Sequence, residues 1–109
     1  MDIEFSSPDI QALCEQQRLM TKQLGDNCSR KLRTRLADLR AAANVAELTS
    51  GRPHPLKGDR ANQFALNLQG GKRLVFEPAN NPIPTRDDDS IAWDLVTKVR
   101  IVFIGDYHD

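Results

Sequence analysis

The sequence predicts an α+β domain in which two N-terminal antiparallel helices pack on one face of a small, mainly antiparallel sheet. Three observations carry this. Apolar residues recur at helical spacing from Ile10 to Ala43, two-residue alternation sets in after Gln63, and a final run from Val96 to Ile104 is rich in Val, Ile and Phe. At 109 residues the chain is expected to build one core, a single domain over 1–109.

Asp2–Phe5 alternates polar and apolar and reads as a short strand. It ends at Ser6-Ser7-Pro8-Asp9, where Ser7 suits an N-cap, Pro8 the first helical position and Asp9 the positive end of the helix dipole. Ile10, Leu13, Cys14, Met20 and Leu24 then share one face, with Gln17 interrupting it, and Gly25 is a C-terminal stop. A continuous helix over about 8–24 is expected. Asp26 or Asn27 caps a second helix with an apolar stripe of Cys28, Leu32, Leu36, Leu39 and Ala43. A short turn between two helices makes them antiparallel. Cys14 and Cys28 then lie about 15 Å apart at ~1.5 Å per residue, too far for a disulfide, and both read as core thiols.

Thr49–Pro53 reads as loop, and His54–Ala61, with Pro55 and Gly58, as irregular or edge-like chain. Gln63–Leu68 alternates, Gln69-Gly70-Gly71 turns, and Arg73–Phe76 returns as a strand. From Glu77 to about Asp94 three prolines and Asp87-Asp88-Asp89 suggest a long loop, with Trp93 anchoring it to the core. The aspartate run reads as solvated loop and no metal site is expected.

The 15 basic and 15 acidic residues cancel, which removes any global pull toward nucleic acid. Their distribution is uneven. Residues 18–60 hold ten Lys/Arg against four acids, and Arg30, Lys31, Arg33, Arg35 and Arg40 occupy the other faces of the second helix, as a solvated surface or a face for RNA, ribosome or an acidic partner. The start Met1-Asp2-Ile3-Glu4 lacks a leader pattern, and no window approaches the roughly 18 apolar residues of a membrane span. A cytoplasmic protein with no membrane partner is expected.

The chemistry-bearing residues concentrate in His54-Pro55-Leu56-Lys57-Gly58-Asp59 and Asp106-Tyr107-His108, with Arg73 on the strand between. His54 and His108 are the only histidines. Two imidazoles can divide the proton transfers of phosphodiester cleavage, while Lys57 and Arg73 neutralise a phosphorane. Tyr107 can stack on a base or assist a proton transfer, and Asp106 can orient Tyr107 or His108. No cofactor is implied. Arg73 also has a plain structural reading, a cross-strand pair with a carboxylate such as Asp106.

These two motifs, with Arg73-Leu74-Val75-Phe76 and the continuation Glu77-Pro78-Ala79-Asn80-Asn81-Pro82-Ile83-Pro84, resemble the HigB-type toxins of the RelE/ParE superfamily, in a subgroup with an extended loop before the last strand. The resemblance implies a RelE-like fold and the toxin of a type II toxin-antitoxin system, a bacterial ribosome-associated endoribonuclease (mRNA interferase) that cuts messages in the A site. It implies catalytic roles for His54, Lys57, Arg73, Asp106, Tyr107 and His108 and inhibition by a cognate helix-turn-helix antitoxin, with operator DNA contacted only through that antitoxin. Two other readings use the same fold: a ParE-like toxin that binds DNA gyrase without cleaving anything, and a degenerate regulatory protein that binds only antitoxin. The neutral net charge departs from the basic character usual in the superfamily.

Overall fold

A computed structural model describes residues 1–106. A five-stranded sheet carries three helices on one face, in the element order β1 (Asp2–Phe5), α1 (Pro8–Glu15), α2 (Gln17–Leu24), α3 (Asp26–Ala41), β2 (His54–Pro55), β3 (Phe64–Asn67), β4 (Arg73–Pro78) and β5 (Lys98–Gly105). The spatial order is β1-β5-β4-β3-β2. β1 runs parallel to β5 and the other neighbours are antiparallel. The expected α+β class and mainly antiparallel sheet are what the structure shows.

The expected first helix is two. Gln16 adopts extended backbone (φ −108°, ψ 100°), its N–H closing α1 on the Ala12 carbonyl at 2.9 Å and its carbonyl receiving the Met20 N–H at 3.0 Å. No Pro or Gly marks the break. The change of direction lets Leu13 and Cys14 of α1 and Met20 of α2 all reach the core. The Ser7 cap is present, its hydroxyl accepting from the Ile10 N–H at 3.2 Å with Pro8 in the first turn.

α3 buries Cys28, Leu32, Leu36 and Leu39. It ends at Ala41, so Ala43 lies outside the helix and is exposed. The Met1 amine donates to the carbonyls of Leu39, Arg40 and Ala42 at 2.7–2.9 Å, a positive group where the helix dipole is negative. Both cysteines are free and buried, and burial pushes the Cys14 thiol up to about 12.

β4 reaches beyond Phe76, because Glu77 and Pro78 pair with Arg100 and Val99. Proline is tolerated there since β3 has already ended opposite Phe76, leaving no ladder acceptor on that side. The last strand begins at Lys98, two residues later than expected, after a short turn at Trp93–Leu95. The segment between β4 and β5 is tied down: the Asn80 side chain accepts from the Thr97 and Lys98 N–H groups at 3.1 Å, Arg86 pairs with Asp94 at 2.9 Å, and the Trp93 ring packs 4.9 Å from Phe64. Asp87, Asp88 and Asp89 are exposed. Ser90 donates twice to Asp88, which holds that carboxyl below its usual range.

Strand register divides the sheet residues between two faces. Ile3, Phe5, Phe64, Leu66, Leu74, Phe76, Val99 and Ile101 meet the helices in one apolar cluster. The opposite face carries Glu4, Arg100 and Glu77 at one end and His54, Asn67 and Arg73 at the other. No helix among the described residues is long and apolar enough to cross a membrane.

Candidate active site

His54 and Arg73 belong to one cleft because of register. His54 lies opposite Ala65 on β3, Asn67 is two residues farther along the same strand, and Arg73 pairs with Asn67 across the next ladder. Side chains two apart on a strand share a face, so three elements deliver their residues to the same surface. Arg52, Pro53, His54, Asn67 and Arg73 line a cleft of about 490 Å³.

The imidazole of His54 is oriented. Its Nδ1 lies 2.6 Å from the Arg52 carbonyl oxygen. A carbonyl only accepts, so Nδ1 carries the hydrogen, and in the neutral ring Nε2 keeps the lone pair. This is the arrangement a general base needs: one nitrogen fixed by a backbone acceptor, the other available for a proton.

Arg73 is half-buried, and its guanidinium donates to its neighbour's Lys72 carbonyl at 3.2 Å. The expected cross-strand ion pair with Asp106 does not form. Gly105, not a carboxylate, stands opposite Arg73, and no ion pair of Arg73 occurs among the described residues. Asp106 is exposed and lies over the β3–β4 turn, its Oδ2 3.6 Å from where a Cβ on Gly71 would be. Lys57 is exposed at the start of a turn over Gly58–Arg60 and does not line the cleft. Tyr107 and His108 lie outside the described residues.

Sequence reasoning missed Arg52 and Asn67 as cleft residues. Arg52 stands in a loop and becomes a neighbour of Arg73 only through the sheet. Its backbone is left-handed at φ +49°, which a non-glycine residue adopts at a cost. That conformation is a signal no sequence pattern displays.

The basic row on α3 divides. Arg30, Lys31, Arg33 and Arg40 are exposed, whereas Arg35 is 8% exposed and does not belong to that surface. Its Nε donates to the Asn67 carbonyl at 3.2 Å and its Nη1 reaches Asp38 at 3.5 Å. Arg35 stands three residues after Leu32 and four before Leu39, on the flank of the apolar stripe, so its stem is drawn inward. Asn27, Arg30, Lys31, Thr34, Arg35 and Gln69 border a second, smaller cleft of about 290 Å³.

The other end of the outer sheet face is internally neutralised. Arg100 pairs with Glu4 at 3.0 Å and with Glu77 at 3.3 Å, and Lys98 pairs with Glu4 at 2.9 Å. The hydrogen bond from Lys98, aided by Arg100, holds the Glu4 carboxyl below its usual range. Between the two ends, the Arg60 guanidinium lies 4.5 Å from the centre of the Phe103 ring. Among the described residues no group of three His, Cys, Asp or Glu side chains is placed to hold a metal.

Two arginines and an oriented imidazole on one cleft are the groups that binding a phosphate diester and removing a proton from a hydroxyl call for. Comparison with solved structures supplies the fold's context. The chain matches the YoeB/ParE toxin from Agrobacterium tumefaciens over 99% of its own length and 100% of the other, with TM-score 0.58 and 14% identity. The fold is RelE/YoeB-like. The YoeB-YefM complex from Staphylococcus aureus matches over 100% of this chain and 98% of that one, with TM-score 0.57 and 16% identity. A heterotetrameric YoeB-YefM toxin-antitoxin complex from the same organism matches over the same shares, with TM-score 0.54 and 21% identity. No protein-family model matches the chain, and no curated protein matches it by sequence. At these identities the likeness speaks for the fold, and the neighbours with that fold are a YoeB/ParE toxin and YoeB-YefM complexes. The narrower HigB-type assignment is not distinguished by them.

Proposed function

We propose that this chain is the toxin of a toxin-antitoxin pair and that it cleaves messenger RNA on the ribosome without a metal. The observation that carries the reading is the His54–Arg73 cleft: an imidazole whose Nδ1–H is committed to the Arg52 carbonyl, beside a guanidinium with no carboxylate partner among the described residues.

In this reading the Nε2 of His54 removes the proton from a 2′-hydroxyl, and the resulting oxygen attacks the adjacent phosphorus. Arg73 and Arg52 stabilise the pentacovalent phosphorane. The P–O5′ bond then breaks, the leaving oxygen takes a proton from His108, and a 2′,3′-cyclic phosphate remains. Each proton transfer is worth about 10²–10⁴-fold. Lys57, Asp106 and Tyr107 are assigned to substrate binding and orientation around this centre. The exposed Arg30, Lys31, Arg33 and Arg40 form a basic surface suited to ribosomal RNA or to an acidic antitoxin segment.

Two solved neighbours are complexes with YefM, which supports an antitoxin as the natural partner here. We assign the HigB-type branch on the His54–Asp59 and Asp106–His108 motifs, with a helix-turn-helix antitoxin, a bacterial cytoplasmic location and DNA contact only through that antitoxin. The test is expression without antitoxin, with protein synthesis and DNA supercoiling followed together. Translation is expected to fail first, with cut messages ending in 2′,3′-cyclic phosphate. Intact messages with accumulating gyrase–DNA cleavage complexes would overturn the proposal in favour of gyrase poisoning.

A further inference from the structure

Two consecutive residues ahead of β2 have left-handed backbone, Gly51 at φ +82° and Arg52 at φ +49°. Together they turn the chain so that the Arg52 carbonyl meets the Nδ1 of His54 at 2.6 Å. A non-glycine residue stays in such a conformation only when its surroundings hold it there. Here the holding contacts run back to α3. The Gly51 carbonyl accepts from the Asn67 N–H at 2.6 Å, and the Asn67 carbonyl accepts from the Arg35 Nε at 3.2 Å. Arg35 also lies against Gly51 itself, where an added Cβ would fall 2.5 Å from that Nε. Gly51 is thus required twice, by its φ and by the guanidinium pressed against it.

We infer that Arg35, a buried arginine of α3 outside the catalytic cleft, is a positioning residue that fixes the tautomer of His54 through Asn67, Gly51 and the Arg52 carbonyl. The chain of contacts is continuous: its links are hydrogen bonds, one packed contact and the peptide bond from Gly51 to Arg52. Arg35 does not line the cleft of His54 and Arg73. Its effect passes through the backbone of the 51–52 turn. If the Nε–H is lost, the Asn67 carbonyl loses its donor and the packing beside Gly51 loosens. Arg52 can then leave its left-handed conformation, and the ring of His54 is free to carry its hydrogen on either nitrogen. The catalytic meaning of this arrangement rests on the RNA-cleavage reading above, whereas the tautomer itself does not.

The discriminating substitution is Arg35→Lys, because lysine places a methylene where arginine has Nε while keeping the charge on a chain one bond shorter. Arg35→Met is read in parallel, since it removes the donor without burying an ammonium. In a His108→Gln background His54 is the sole imidazole. The ¹⁵N spectrum of the full chain is recorded at alkaline pH, where imidazoles are neutral. Before Arg35 is changed, one Nδ1–H form is expected. In either folded Arg35 variant the two nitrogens should shift toward each other as both tautomers populate. With His108 restored, cleavage of ribosome-bound message at saturation should fall about twofold or more with half-saturation unchanged, in proportion to the His54 population that no longer keeps its lone pair on Nε2.

A folded Arg35→Lys or Arg35→Met protein that keeps the pure Nδ1–H form overturns the inference. So does a variant whose half-saturation rises while its maximal rate holds, because Arg35 would then be acting in RNA binding. If the unsubstituted chain cuts no RNA, the cleavage reading falls and the spectrum alone decides the positioning.

Discussion

Both ends of the outer sheet face carry arginine, and they differ in how its charge is paired. At the β1–β5–β4 end, Lys98 and Arg100 are matched by Glu4 and Glu77 across three strands. At the β2–β3–β4 end, Arg52 and Arg73 line a cleft beside an oriented imidazole and form no ion pair among the described residues. Matched charges favour the fold modestly and leave little field for a ligand. Unmatched cations beside a cleft remain available to a phosphate. An arginine on a strand is therefore not informative by itself; its cross-strand partner decides what it does.

The largest expected effect lies at the unpaired end. Replacing His54 with Gln removes the proton acceptor while keeping polarity and approximate size, so cleavage of ribosome-bound message should fall by about 10²-fold or more with the circular dichroism spectrum unchanged. Full activity of the purified variant would remove the enzymatic reading. Next comes the paired contrast between two arginines. Arg73→Ala should slow cutting by roughly 10²–10³-fold, as expected for loss of a group that stabilises phosphorane charge. Arg100→Ala should leave the rate within about twofold and lower stability by ~1 kcal/mol or less, since its ion pairs are partly exposed. Equal losses of activity in the two would erase the distinction between the ends.

A smaller effect sharpens the paired end. The Glu4 carboxyl is held below its ordinary value of 4.5 chiefly by the Lys98 hydrogen bond. A group whose folded pKa is depressed contributes stability above its unfolded pKa and loses it as pH falls through the folded value. Glu4→Gln should thus melt below the unsubstituted protein at neutral pH, and the gap should close as the medium is acidified below 4.5. A gap that stays constant with pH would mean that Glu4 acts through packing. The smallest effect is expected from replacing Asp87, Asp88 and Asp89 together with Ser. These side chains are exposed and far in sequence from the cleft residues, so message cleavage should stay within about twofold.

Much of the architecture was legible because local chemistry and tertiary demand agree. Ser7-Pro8-Asp9 starts α1 as a capping pattern dictates, and the Leu32-Leu36-Leu39 stripe is the buried face of α3. The Gln69-Gly70-Gly71 turn uses two glycines at positive φ to join β3 and β4. The break at Gln16 was not legible, since its cause is the direction in which Met20 must approach the core rather than any stop residue at that point. Arg35 was misplaced for a related reason: a charged side chain on the flank of an apolar stripe goes in or out according to whether an acceptor waits inside, and the acceptor, the Asn67 carbonyl, is 32 residues away.

The candidate site divides in the same way. The sequence by itself supplied the candidates, because His titrates near neutral pH and Lys and Arg neutralise phosphate charge, and it singled out His54 and Arg73 in their motifs. Tertiary structure decided which of them meet. Strand register placed Arg73 across from Asn67 and one ladder from His54, left Lys57 outside the cleft, and put Gly105 where a carboxylate partner had been expected. It also brought in Arg52, whose carbonyl selects the histidine tautomer through a left-handed turn held from α3. The physical reason is that side-chain chemistry is local to each residue, whereas the partner that tunes it is set by register and packing between segments distant in the chain.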